Sequence, residues 1–218
     1  MSKAAKSAGH AHDHGAPRPL IPALDFANRQ IPAHGTMAVD FEQRVDFHRL
    51  REYRLARAMQ ALEATECGAF LLFDFYNIRY TTQTWIGGAL GDKMSRYALL
   101  TRDGSPHIWD FGSAAKHHKL FAPWLNPDHS HAGMLGLRGA IHPEVGLIKE
   151  AVTTIKGMLH DAGLGNAPIG VDLVEPAFLF EMQAQGIEVV DIQQDMLGAR
   201  SIKNVDEIML LSQAAAMV

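Results

Sequence analysis

The stretch "RLREYRLARAMQALEATECGAFLLFD", Arg49 to Asp74, decides the class of fold. Its first part is charged and carries Leu55, Met59 and Leu62 at helical spacing, so one face of a helix is apolar and must bury. The composition places this helix from Phe41 to Glu66, with Gly68 as its stop. "AFLLFD", Ala69 to Asp74, follows at once, a nearly continuous apolar run of strand length and the signature of a strand covered on both faces. A helix feeding directly into such a strand predicts α/β layering.

Downstream, "SRYALLT" and "PHIWDF" flank "RDGS", where Asp103 and Gly104 supply the turn chemistry of an antiparallel hairpin. From Pro143, suited to a first helical position, Val145, Ile148, Val152, Ile155 and Leu159 recur at helical spacing until Gly163. "PIGVDL" reads as a strand, "EPAFLFEMQAQG" as a helix between Pro176 and Gly186, and "IEVVDI" as another strand, a β-α-β unit. Parallel and hairpin-linked strands together predict an α/β domain with a mixed β-sheet flanked by helices over residues 41–200. Upstream, residues 1–40 are rich in Ala, Gly, His and Pro without a sustained period and are expected to form a flexible arm.

The segment "RSIKNVDEIMLLSQAAAMV", Arg200 to Val218, opens another helix. Asn204 is a good N-cap, and Glu207 stands where a capping-box side chain reaches back. Ile208, Leu211, Ala215 and Val218 share one face, the spacing of a stripe that needs a partner, and neither Gly nor Pro stops the pattern. Residues 201–218 are therefore expected to begin a further domain.

Among 218 residues, 47% are hydrophobic, enough for a packed core. A formal charge of -4 argues against a nucleic-acid or anionic-membrane surface, since either wants a concentrated positive field. The N-terminus lacks an apolar signal core, and no stretch has the ~20 apolar residues of a spanning helix. One cysteine, Cys67, can form neither an internal disulfide nor a thiolate zinc site, and reads as a small buried apolar residue in a cytoplasmic protein.

Three histidine groups raise the question of a metal: "HAHDHG" (His10, His12, Asp13, His14), the His117–His118 pair, and "DHSH" (Asp128 to His131). The first lies in a segment without a scaffold, and neither of the others matches a known ligand spacing, so they read as solvated loop and helix-surface histidines. No nucleophile elbow, phosphate-binding loop or dinucleotide fingerprint is present, and no two carboxylates are marked as a catalytic pair. The region "FDFYNIRYTTQTWIGGALGDKMSRY" stands out, a Gly-bearing loop with Trp85, Asp92, Lys93 and Arg96. It reads either as a binding surface or as Tyr80 and Trp85 filling core beside solvated charges.

The helix–strand segment with "YNIRYTT" after it, and "IGVDL" followed by "QGIEVVDIQQDMLGARSIKNVDEIMLLSQAAAMV", resemble the N-terminal domain and domain junction of the creatinase/prolidase superfamily, metalloenzymes with a pita-bread catalytic domain. "FDFYNIRYTT" and "HIWDFG" look most like the branch of dimethylsulfoniopropionate lyases and Xaa-Pro peptidase-like proteins. The resemblance implies a ribonuclease H-like α/β fold and a non-catalytic domain that helps form a homodimer and lends loop residues to its neighbour's active site. It makes Trp85, Asp92 and Arg96 candidates for substrate binding in trans: Trp85 as a pocket wall, Arg96 as a fork for a substrate carboxylate, Asp92 for a cationic group. It also implies that the family's two divalent metals (Mn, Fe, Co or Zn), held by two Asp, one His and two Glu, lie downstream of Val218. The parent would then be a metal-dependent Xaa-Pro peptidase or creatinase-like hydrolase of small molecules or short peptides. Two alternatives are a lyase of the same superfamily and a stand-alone binding or dimerisation module without activity.

Overall fold

The structure is a computed structural model that describes residues 31–32, 44–85, 95–134 and 142–217. A two-residue strand β1 (Ile31–Pro32), within the segment read as an arm, pairs antiparallel with β2 (Arg44–Val45). Helix α1 then runs over Phe47–Glu63, later and shorter than expected, because the Asp46 carboxylate accepts from the His48 and Arg49 N–H groups and so caps it. Ala64, not Gly68, closes it. Gly68 serves packing instead, since a Cβ there would lie 2.8 Å from Ala167 Cβ.

β3 (Ala69–Leu72) is followed by a short helix α2 (Phe75–Thr82), capped by Asp74 and ended by Gln83 at φ 56°. β4 (Tyr97–Thr101) and β5 (His107–Asp110) form the expected hairpin, with Gly104 at φ 75° in its turn. Helix α3 (Gly112–Phe121) leads to β6 (Ser130–Ala132). Pro143 opens only a 3-10 turn; Gly146 at φ 79° interrupts it, and helix α4 (Leu147–Asp161) starts afterwards, which leaves Val145 exposed. β7 (Ile169–Val171), α5 (Pro176–Ala184) and β8 (Val189–Asp191) follow, then α6 (Gln193–Ser201) and α7 (Val205–Ala216).

The six-stranded sheet has the order β6-β5-β4-β3-β7-β8. β3 sits inside it, antiparallel to β4 and parallel to β7, so the sheet is mixed and helix-flanked as the sequence predicts. Alternation along β3 sends Phe70 and Leu72 to one face with Leu62, Ile78 and Met196 from α1, α2 and α6. Ala69 and Leu71 go to the other, with Ile155, Leu159 and Phe178 from α4 and α5. Cys67 is buried as expected.

In the terminal helix the apolar stripe that needs a partner lies open. Asn204 and Glu207 do form a capping box. Ile208 and Leu211, of the stripe that needs a partner, are 54% and 57% exposed, and the buried residues are Asp206, Glu207 and Met209. The cause lies on α1. Arg49 donates from Nε and Nη2 to the Asp206 carboxylate at 2.8 and 2.7 Å, and Arg54 Nε donates to Glu207 at 2.7 Å. Met209 joins Val45 and Leu50 in a small apolar cluster beneath these pairs. Paired charges can be buried where unpaired ones cannot, so the acidic face turns inward and the apolar stripe outward.

Candidate functional site

Trp85 and Arg96 flank a segment outside the described residues, and the expectation for Asp92 falls in that segment. Arg96, just before β4, is buried and turned into the protein. Its Nη2 donates to Thr84 O and Thr84 Oγ1 at 3.0 and 2.6 Å. Its Nε lies 3.2 Å from Asp110 Oδ2, an ion pair by distance in which the Nε–H is not aligned for a hydrogen bond. The same oxygen meets His118 Nε2 at 3.0 Å. Burial pushes the Arg96 guanidinium down, opposed by the Asp110 charge. Arg96 thereby holds Thr84, and with it the backbone that presents Trp85, a residue 44% exposed. The Arg79 guanidinium stands 5.1 Å from the centre of the Trp85 ring. The structure thus brings Trp85 and Arg96 together through Thr84, with Arg96 facing inward.

Two histidine readings change. His118 is buried, not on the surface of α3, because α3 turns it onto Asp110. His107, His129 and His131 stack beside Trp109: the His107 and His129 rings are 3.6 Å apart, and His107 Nδ1 is 3.0 Å from His131 Nε2. Burial and the neighbouring imidazoles push His107 down to about 4 and lower His131 as well. Their cross-strand pairing is invisible in a linear reading, since 24 residues separate His107 from His131.

A second polar centre sits where β3 and β7 end. Asp172 Oδ1 accepts from Phe73 N at 2.7 Å and Leu173 N at 2.6 Å, and Oδ2 from Asp74 N at 3.1 Å and Asn77 Nδ2 at 2.9 Å. A carboxylate can only accept, so the Asn77 amide must turn its nitrogen to Asp172 and its oxygen outward. That oxygen accepts from Arg200 Nη1 at 2.8 Å. Arg200 in turn stands 5.7 Å from the Tyr76 ring, which is exposed.

Arg200 lines a cleft of 540 Å³ between α2 and the α6–α7 junction. Arg54, Arg79, Lys203 and Glu207 also face it, four cations in all against one carboxylate. Burial and the Arg54 charge push the Arg79 guanidinium down. Arg79 was visible only as part of a polar stretch, and Arg200 and Lys203 only as junction residues; folding alone joins them to Arg54, which is remote in sequence.

Among the described residues no group of three or more His, Cys, Asp or Glu could hold a metal ion. The buried carboxylates Asp110, Asp172, Asp206 and Glu207 are already committed to donors of the chain itself. These residues do not fit the two-metal set of the resembling family, and no catalytic step through a metal is derived from them.

No protein-family model matches the chain. It is 28% identical over 173 residues to the dimethylsulfoniopropionate lyase DddP of Roseovarius nubinhibens, a match covering 76% of this chain and 37% of that protein. It is likewise 28% identical over 168 residues to the lyase of the same name from Roseobacter denitrificans, covering 75% of this chain and 36% of that one. The chain therefore spans little more than a third of the curated relatives it matches. Its fold is similar to that of a Xaa-Pro dipeptidase from Bacillus anthracis, with a TM-score of 0.51 at 16% identity, over 74% of this chain and 39% of that one. With the helix–strand and junction segments, these similarities to DddP in sequence and to a Xaa-Pro dipeptidase in fold support the resemblance to the creatinase/prolidase superfamily, on its branch of DddP and Xaa-Pro peptidase-like proteins.

Proposed function

We propose that this chain is the non-catalytic N-terminal domain of a metal-dependent hydrolase of the Xaa-Pro peptidase type, serving dimerisation and the walls of a substrate pocket. The observation that carries this reading is coverage: the sequence relatives and the dipeptidase match this domain over less than two fifths of their own length. On this reading the divalent metals and the activated water belong to the rest of the protein, and the chain by itself has no turnover. The exposed Ile208 and Leu211 face of α7 supports it, as a surface suited to cover by another domain. A cytoplasmic homodimer acting on a short peptide or small molecule completes the proposal; no described helix is long and apolar enough to cross a membrane.

In this proposal the segment from Thr81 to Arg96, which begins in the last turn of α2, works in trans. Trp85 walls the neighbouring subunit's pocket, and Arg96 acts as a positioning residue that fixes Thr84 and Trp85; Asp92 is kept as a candidate for a cationic substrate group. The sequence similarity to DddP favours a second reading, elimination from dimethylsulfoniopropionate. The test is to express the longer reading frame loaded with manganese, iron, cobalt or zinc, and to measure Xaa-Pro cleavage and dimethylsulfide release. Trp85→Ala should lower activity, and mixing it with a metal-ligand variant should restore part of it in exchanged heterodimers. Turnover by the present chain alone, or wild-type kinetics in Trp85→Ala, would refute the assignment.

A further inference from the structure

The cleft between α2 and the α6–α7 junction carries a charge opposite to that of the chain. The protein has a formal charge of -4, whereas Arg54, Arg79, Arg200 and Lys203 against Glu207 give the cleft +3. Among the described residues only Arg54 is paired with a carboxylate, that of Glu207 at 2.7 Å. The Arg79 side chain has no hydrogen bond or ion pair among the described residues, and its guanidinium stands over the Trp85 ring. Lys203 donates only to Ser201 O, and Arg200 only to the neutral Asn77 amide, which leaves its remaining nitrogens without a partner among the described residues. Like charges held together in a concave site disfavour one another unless an anion joins them, and such a site focuses positive potential.

We propose that this cleft is a binding site for a carboxylate, gripped by Arg79 and Arg200 from opposite walls with Lys203 at the rim. The wall geometry is set before any ligand arrives, because Asp172 fixes Asn77 and Asn77 fixes Arg200. Guanidinium forks match the planar carboxylate, and at 540 Å³ the cleft is within the ordinary range for small ligands. A symmetric contact with a second copy does not fit, since it would set the cationic cleft against itself. The carboxylate has two possible sources, a free organic acid or an acidic side chain from the rest of a longer protein. This inference rests on the cleft alone and not on the proposed catalytic parent.

The test is a titration of the isotope-labelled chain with sodium succinate at constant ionic strength, following the Nε–H signals of Arg79 and Arg200. Saturable shifts are expected, with affinity weakened at least about fivefold in Arg79→Gln and in Lys203→Gln, and unchanged in Lys116→Gln, at an exposed position of α3. Linear, non-saturating shifts, or wild-type affinity in both cleft variants, would overturn the proposal. The longer reading frame separates the two sources. Retained succinate binding identifies a free ligand, whereas arginine signals already at their bound positions and indifferent to succinate identify an internal acid. Signals at unbound positions that succinate does not move would overturn the site. Failure of catalysis in that longer protein, with succinate still bound by this chain, would count against the proposed function and not against the cleft.

Discussion

Replacing Asp172 by alanine should remove the joint that ties the end of β3 to β7 and, through Asn77, to the cleft. Four donors lose their acceptor at once. The amides of Phe73 and Asp74 and the side chain of Asn77 are buried and have nowhere else to donate, while Leu173 is 45% exposed and its N–H can reach water. A buried donor left without a partner costs about 1–3 kcal/mol, so three of them, partly relieved by relaxation and water entry, should cost ~4 kcal/mol. With a urea dependence of ~2 kcal/mol per molar, the unfolding midpoint should fall by about 2 M, as read by circular dichroism. Asp172→Asn should be nearly as damaging, because its new NH2 group would face two donors. A midpoint shift below about 0.3 M in both variants would refute the idea that this carboxylate organises the strand ends.

Three further outcomes follow from particular contacts. Gly170→Ala would set a methyl group 2.7 Å from Ile192 Cγ2 and from Phe70 Cδ1, an overpacking that should destabilise by about 1–3 kcal/mol in the same urea assay. Because His107 is held down near 4 against an ordinary 6.5, the unfolded chain takes up a proton between those values that the folded chain refuses. Stability should therefore fall as pH drops from about 6.5 towards 4; a ceiling of ~3 kcal/mol becomes ~1–2 kcal/mol for a half-buried ring, and His107→Gln should flatten the dependence. Asp206→Asn removes the charge that Arg49 grips, so hydrogen exchange should quicken in α7 while β3 stays protected. Unchanged protection of α7 would show that Met209 and the Arg54–Glu207 pair suffice to hold it.

Local patterns in the sequence determined the layering of this protein. The apolar run Ala69–Leu72, the Asp103–Gly104 turn and the β-α-β unit around α5 each carry their own periodicity or turn chemistry, so the mixed sheet could be read without coordinates. The capping box at Asn204 was legible for the same reason, since its partners are three residues apart. Short elements escaped. α2, α3 and α6 span eight to ten residues, too few turns to establish a period, and lack the Pro start and Gly stop that bracket the equally short α5, while the three-residue β6 is ordered by pairing with β5. Whatever depends on partners remote in the chain belonged to the tertiary structure alone. Arg49 and Arg54 reach Asp206 and Glu207 across 157 and 153 positions and decide which face of α7 is buried, against the hydrophobic pattern. Asp110 draws His118 inward and holds Arg96 away from solvent, a choice that no spacing encodes. The cationic cleft is assembled from α1, α2 and the α6–α7 junction, whose charges are unremarkable apart. Periodicity reports which residues need burial, whereas electrostatic pairing depends on the distances that only the closed fold creates.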